Sequence, residues 1–303
     1  MLNMQRIGDK AIFGAFKILG LIPRNVAIQL GNRIGHLLFL VDSKHRRIAI
    51  ENLTHAFGDV KDSLEIRQLA RRVFMNLAQV VFEVGWSLCL DKERLFKHFE
   101  FEGASNLKAA HDKGRGVLAL TAHFGNWELL SVSGAMSGYP LGILYRPLDF
   151  KPLDRFFVKL RTRFGGKMIP QKRALRGILR SLNRGEIVAL LMDQNVDWYE
   201  GVFADFMGRR ACTNKGLALI ALKSEAPVVP VFMVRRRDGF TTTFLPEIPL
   251  IKTGDKTRDI EDNTAQYNKA IASFLHQYPE QWFWVHQRWK TRPYHPWPRE
   301  INQ

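Results

Sequence analysis

Apolar residues recur every three or four positions through the first hundred residues, and then the rhythm changes. Leu69, Val73, Leu77, Val80, Val81 and Val84 fall at helical spacing, which predicts one long amphipathic helix. Asp62-Ser-Leu-Glu65 has the form of a capping box and marks its start. From residue 116 onward, short apolar runs alternate with longer amphipathic stretches. The runs at 116–122, 141–145, 187–192, 228–234 and 241–245 predict strands. The stretches at 126–136, 152–164, 172–184, 213–225 and 260–277 predict helices, with Asn126 capping the first and Thr213 the fourth. This alternation predicts an α/β fold with a mostly parallel central sheet flanked by helices.

The N-terminus follows a different pattern. Residues 11–16 and 18–22 are apolar, but Lys17 interrupts them and Pro23-Arg24 ends them; residues 34–41 form a second apolar stretch. Neither reaches the ~20 apolar residues of a spanning helix. Two readings stay open: an anchor lying on or dipping into one leaflet, or a buried hairpin of helices. The basic segment Lys44-His45-Arg46-Arg47 that follows suits a cytoplasmic membrane surface. No small-residue cleavage site follows, so no secretory signal is expected. The expected division is membrane-associating helices at 1–43 and the α/β domain at 44–303.

Charge adds a constraint on partners. With 45 Lys+Arg against 29 Asp+Glu, the 303-residue chain carries a net charge of +16. That field attracts nucleic acid, anionic lipid, phosphorylated substrates or acidic proteins, and does not choose among them. No nucleic-acid recognition motif is present, and the basic residues are spread out. Cys89 and Cys212 fit no metal or redox spacing. Gly165-Gly166 lacks the spacing of a dinucleotide loop and no P-loop occurs, so neither cofactor nor metal is expected.

The candidate chemistry lies in His123-Phe-Gly-Asn-Trp-Glu128. The histidine stands where the strand at 116–122 hands over to a helix, and open α/β sheets place ligands at the carboxyl ends of strands. Five residues on one helix is about 500° of rotation, so His123 is expected in the turn, its ring folding back toward Glu128. A base able to take a hydroxyl proton, with a carboxylate fixing its tautomer, is what the pair offers. A surface or packing pair is the bland alternative. Other strand ends carry Tyr145-Arg-Pro147 and Met192-Asp-Gln194; Arg161-Thr-Arg163 ends a helix, and Arg209-Arg210 follows Phe206-Met-Gly208. Arginine forks suit phosphate and carboxylate groups, so Arg146, Arg161 and Arg163, with Asp193 and Gln194, are candidate substrate contacts.

These clusters, in order, resemble the late lipid A acyltransferases of Gram-negative bacteria, the lauroyl/myristoyl transferase family within the glycerophosphate-type acyltransferase group. The matching residues run from Lys44 through His123–Glu128, Tyr145-Arg-Pro147, Arg161, Met192-Asp-Gln194, Phe206-Met-Gly208 and Ala226-Pro-Val-Val-Pro230. They end in Pro279-Glu-Gln-Trp-Phe-Trp-Val-His286 and Arg288-Trp-Lys-Thr-Arg-Pro293. Met207 departs from the second aromatic expected there. The resemblance implies an acyl carrier protein thioester as donor, a hydroxyl of a phosphorylated lipid A precursor as acceptor, and the cytoplasmic face of the inner membrane as location. It implies catalytic roles for His123 and Glu128 and supporting roles for Arg161 and Asp193. A lysophospholipid or another glycolipid is the alternative acceptor. Trp282, Trp284, Trp289 and Trp297, interleaved with basic residues, suit either a membrane interface or packing of the C-terminal segment onto the sheet.

Overall fold

The structure, a computed structural model, describes residues 2–293. Four helices come first: α1 (Leu2–Gly20), α2 (Arg24–Val41), α3 (Ser43–Phe57) and α4 (Ser63–Leu88). Asp62 caps α4, and both bonds of the capping box with Glu65 are made. α1 and α2 pack on α4. The approach is close because small residues line it: a side chain at Gly35 would overlap the backbone of Phe74 and Met75. The opposite face is bare, with Ile18, Leu21, Leu37, Leu38, Leu40 and Val41 exposed.

Then follow α5 (Lys92–Phe96), β1 (Phe99–Glu102), α6 (Ala104–His111), β2 (Val117–Thr121), α7 (Trp127–Met136), β3 (Leu141–Tyr145), α8 (Lys151–Thr162), β4 (Lys167–Pro170), α9 (Ala174–Asn183) and β5 (Ile187–Leu191). The remainder is β6 (Gly201–Phe206), β7 (Arg209–Asn214), α10 (Gly216–Ser224), β8 (Val228–Arg235), β9 (Phe240–Phe244), α11 (Lys256–Gln277) and a 3-10 turn at Pro279–Gln281. Seven strands form one sheet in the order β1-β9-β8-β2-β5-β3-β4. Every neighbouring pair is parallel except β8 with β9. The expected mostly parallel sheet with flanking helices is therefore present. β2 is buried throughout, as a central strand covered on both faces must be.

Two expectations fail near residue 213. Thr213 lies in β7, the second arm of an antiparallel hairpin, and Lys215 takes the N-cap place of α10. The alternation of Gly201–Phe206 with Arg209–Asn214 supports a ribbon, closed by Met207 (φ 56°) and Gly208 (φ 79°). A two-residue turn of that hand requires positive φ at both positions.

β2 and β5 are parallel neighbours; the chain leaves β2 past β5 to β3 and leaves β5 back past β2 to β8. Their carboxyl ends therefore lie side by side at the edge where open α/β sheets place ligands. His123 and Asp193 follow those two ends. Thr121 pairs with Leu191 in register, so each of these residues stands two positions beyond a matched pair.

Candidate active site

The loop after β2 is held from below by the C-terminal segment. Phe124 bridges to Trp282, the Gly125 amide donates to the Gln281 carbonyl (2.8 Å), and the Phe283 amide donates to the His123 carbonyl (3.1 Å). Gly125 has φ 55°, and a Cβ there would overlap the Met233 carbonyl oxygen. Only glycine meets both demands. Asn126 then caps α7, its Oδ1 accepting from the Leu129 amide (3.1 Å) while its Nδ2 donates to Glu83 (2.8 Å). Glu83 is itself paired with Arg235, so the helix start rests on a buried ion pair.

His123 is therefore not helical, as the spacing requires, but its ring turns to Asp193 rather than to Glu128. Nδ1 lies 2.9 Å from Asp193 Oδ1, while Oδ2 accepts from the His123 amide (2.9 Å) and the Trp282 indole (2.7 Å). Asp193 is 1% exposed. Burial pushes its carboxyl up, but the His123 charge and the hydrogen bonds from His123 and Trp282 outweigh burial and hold it below the usual carboxylate range. An ionised Asp193 only accepts, so Nδ1 is the donor in this contact and Nε2 is the ring nitrogen left for other partners. Trp127 and Phe283 flank the ring at 5.4 and 5.9 Å, and the side chain stays 22% exposed. The arrangement is an oriented and accessible imidazole, the geometry a general base needs.

Glu128 has a different partner. Its two oxygens accept from Arg161 Nε and Nη2, both at 2.8 Å, and Oε1 also accepts from the Trp127 indole at 3.1 Å. The expected ring-orienting role passes to Asp193 because the matched β2–β5 register delivers that carboxylate beneath the imidazole. Glu128, in the first turn of α7, meets the guanidinium fork of α8 instead. Burial pushes Arg161 down, yet Glu128 outweighs it and holds the guanidinium charged. Arg161 Nη1 forms no hydrogen bond among the described residues.

The other expected contacts divide. Arg146 is exposed just past β3, and Gln194 is half-buried beside Asp193; neither forms a side-chain hydrogen bond among the described residues. Arg163 is engaged within the fold. It caps the end of α4 by donating to the carbonyls of Ser87 (2.8 Å) and Leu90 (2.5 Å), and it stacks on Phe164 at 4.7 Å. Trp282, Trp284 and Trp289 are buried, which decides for packing over a membrane interface; Trp297 lies outside the described residues. In the same segment, His286 Nε2 accepts from the Asn195 amide (2.9 Å) and fixes the loop after Asp193. Among the described residues, no group of His, Cys, Asp and Glu is arranged to hold a metal ion.

Comparison with known sequences decides the family. The profile of bacterial lipid A biosynthesis acyltransferases matches residues 1–291. The chain belongs to that family. A lipid A biosynthesis palmitoleoyltransferase of Escherichia coli is 30% identical over 90% of this chain and 87% of its own length. A lipid A biosynthesis acyltransferase of Haemophilus influenzae is 28% identical over 91% and 85%. An E. coli lipid A biosynthesis lauroyltransferase is 27% identical over 90% and 88%. The dyad and the Glu128–Arg161 pair thus lie at the strand ends of a chain that belongs to an acyltransferase family.

Proposed function

We propose that this acyltransferase moves a fatty acyl chain from an acyl carrier protein thioester to a hydroxyl of a phosphorylated lipid A precursor, with His123 as base. The observation that carries the reading is the Nδ1 contact to buried Asp193, which leaves Nε2 free to accept a proton. Nε2 takes the hydroxyl proton as the oxygen attacks the thioester carbonyl. The tetrahedral oxyanion collapses, the C–S bond breaks, and the imidazolium returns its proton to the departing thiolate. Asp193 steadies the imidazolium in between. Arg161 Nη1 and the amides at the start of α7 are the nearest candidates for oxyanion donors, with Glu128 aiming the guanidinium. Arg146 and Gln194, at the same edge, are available to acceptor phosphate.

The place of action is the cytoplasmic face of the inner membrane. Among the described residues no single helix is long and apolar enough to cross a membrane, and α1 and α2 bend by 113° where they meet. Their bare apolar face, next to Lys44, Arg46 and Arg47, suits insertion into one anionic leaflet. The test incubates purified protein with lauroyl-acyl carrier protein and a lipid A precursor and follows the product by mass spectrometry. One added acyl ester, absent with His123→Ala, is expected. Free fatty acid alone, or equal transfer to a lysophospholipid, would overturn the reaction or the acceptor.

A further inference from the structure

α9 carries a ridge of positive charge that the site does not use. Arg173, Arg176 and Arg180 recur at helical spacing along it, Lys172 precedes it, and Lys223 of α10 stands alongside. All five are exposed, and none pairs with a carboxylate or forms a side-chain hydrogen bond among the described residues. Arg184 closes the row and is held by Glu186. Leu175 and Leu179, one turn apart, form an apolar notch between the arginines, Leu175 largely exposed. Leu175, Arg176, Leu179, Arg180, Asn183 and Lys223 line a shallow groove of about 570 Å³.

Such a ridge carries a cost. Like charges three and four residues apart repel, and no acid in the helix relieves them. The opposite face is committed to the core through buried Ile178 and Leu182, so only the ridge is free. Its position is informative: α9 begins directly after β4, at the carboxyl edge that also holds His123 and Asp193. From that edge it runs ~15 Å, ten residues of helical rise, down one side of the sheet. α1 and α2, with the bare apolar face, pack on α4 and α8, whereas α9 packs on β3, β4, β5 and α10.

We propose that the α9–α10 groove docks the acidic carrier protein that brings the acyl thioester, which rests on the donor reading above. A helix bearing carboxylates at three- and four-residue spacing would match Arg173, Arg176 and Arg180, and one apolar side chain would seat between Leu175 and Leu179. The thioester arm would then enter over the carboxyl edge of β4 and β3. A protein fits better than a bilayer. The groove sets Leu175 and Leu179 between arginines without an aromatic anchor, and it lies on elements away from the bare apolar face of α1 and α2.

The test is Arg176→Glu/Arg180→Glu in the full chain, beside Lys256→Glu/Lys269→Glu on α11, which makes the same change in net charge. With lauroyl-acyl carrier protein as varied substrate, the α9 variant is expected to raise KM about tenfold or more at little cost in kcat, and the salt dependence of KM should flatten. The α11 variant should track wild type. Equal KM in wild type and both variants would overturn the docking site while leaving the donor reading intact. An α9 variant that keeps its KM for the carrier but loses binding to vesicles containing phosphatidylglycerol would reassign the ridge to lipid. If wild type transfers nothing from the carrier, the donor reading fails; fluorescence anisotropy with labelled carrier protein then decides the surface, and equal affinity of wild type and the α9 variant overturns it.

Discussion

Asp193→Asn separates charge from shape at the site. Oδ2 accepts from two donors that cannot change role, the His123 amide at 2.9 Å and the Trp282 indole at 2.7 Å. Asparagine must therefore set its carbonyl oxygen there and turn its NH2 group toward Nδ1, where Oδ1 now sits at 2.9 Å. Both groups would then donate unless the ring proton moves to Nε2. That shift removes the lone pair a base needs, and an imidazolium would lose its buried counter-charge. With the ring proton on Nε2 all three hydrogen bonds are kept but lose the carboxylate charge, so folding should weaken by only about 1–3 kcal/mol. The transfer rate should fall on the order of 10²- to 10⁴-fold, the scale on which a ring-orienting carboxylate acts. Single-turnover transfer at pH 7, thermal melts and 15N shifts of the His123 ring give the three readouts. A folded variant that keeps its rate within about threefold, or a ring still protonated at Nδ1, would refute the reasoning.

Three further outcomes follow from the same contacts. Arg161→Ala strands a buried carboxylate at Glu128 and should cost about 3–5 kcal/mol in melts, most of it recovered by Glu128→Gln/Arg161→Met; a wild-type melt for Arg161→Ala would contradict the pairing. Gly125→Ala combines a left-handed backbone with overlap at the Met233 carbonyl, so its denaturant midpoint should report a loss of about 2–4 kcal/mol; an unchanged midpoint would mean the loop is not held there. Burial pushes His286 from 6.5 down to about 4, so the unfolded chain takes up that proton first as pH falls. The stability it contributes is complete above pH 6.5 and is lost between 6.5 and 4, by up to about 3 kcal/mol. His286→Gln, whose amide oxygen can accept from Asn195, should flatten melts measured from pH 7 to 4.5; an unaltered slope would oppose this.

The parts of this molecule legible in sequence are those whose cause is local. The runs that became β2, β3, β5 and β8 are apolar because both faces are covered, and the caps at Asp62 and Asn126 act within one turn. β1 and β4 escaped notice because Phe-Glu-Phe-Glu and Lys-Met-Ile-Pro are four residues long and lie at the two margins of the sheet. The hairpin from Gly201 to Asn214 was hidden by Thr213, which looks like a cap until the positive-φ pair at Met207-Gly208 is known. At the site, His123 could be singled out by its place after a strand. Its true partner is 70 residues away and reaches it only through the pairing of β2 with β5. Glu128 is nearer in sequence, but Arg161 has the geometry to claim it. Trp282, which secures Asp193, carried no local signal beyond its place in an aromatic-basic stretch.

The most direct test is a quantitative transfer reaction in which lauroyl-acyl carrier protein and a lipid A precursor are mixed with wild type or His123→Ala, and thiol release and acyl ester are counted together. Wild type should form one ester for each free carrier thiol, and His123→Ala should form neither above background. Ester formation by His123→Ala at the wild-type rate would contradict the account.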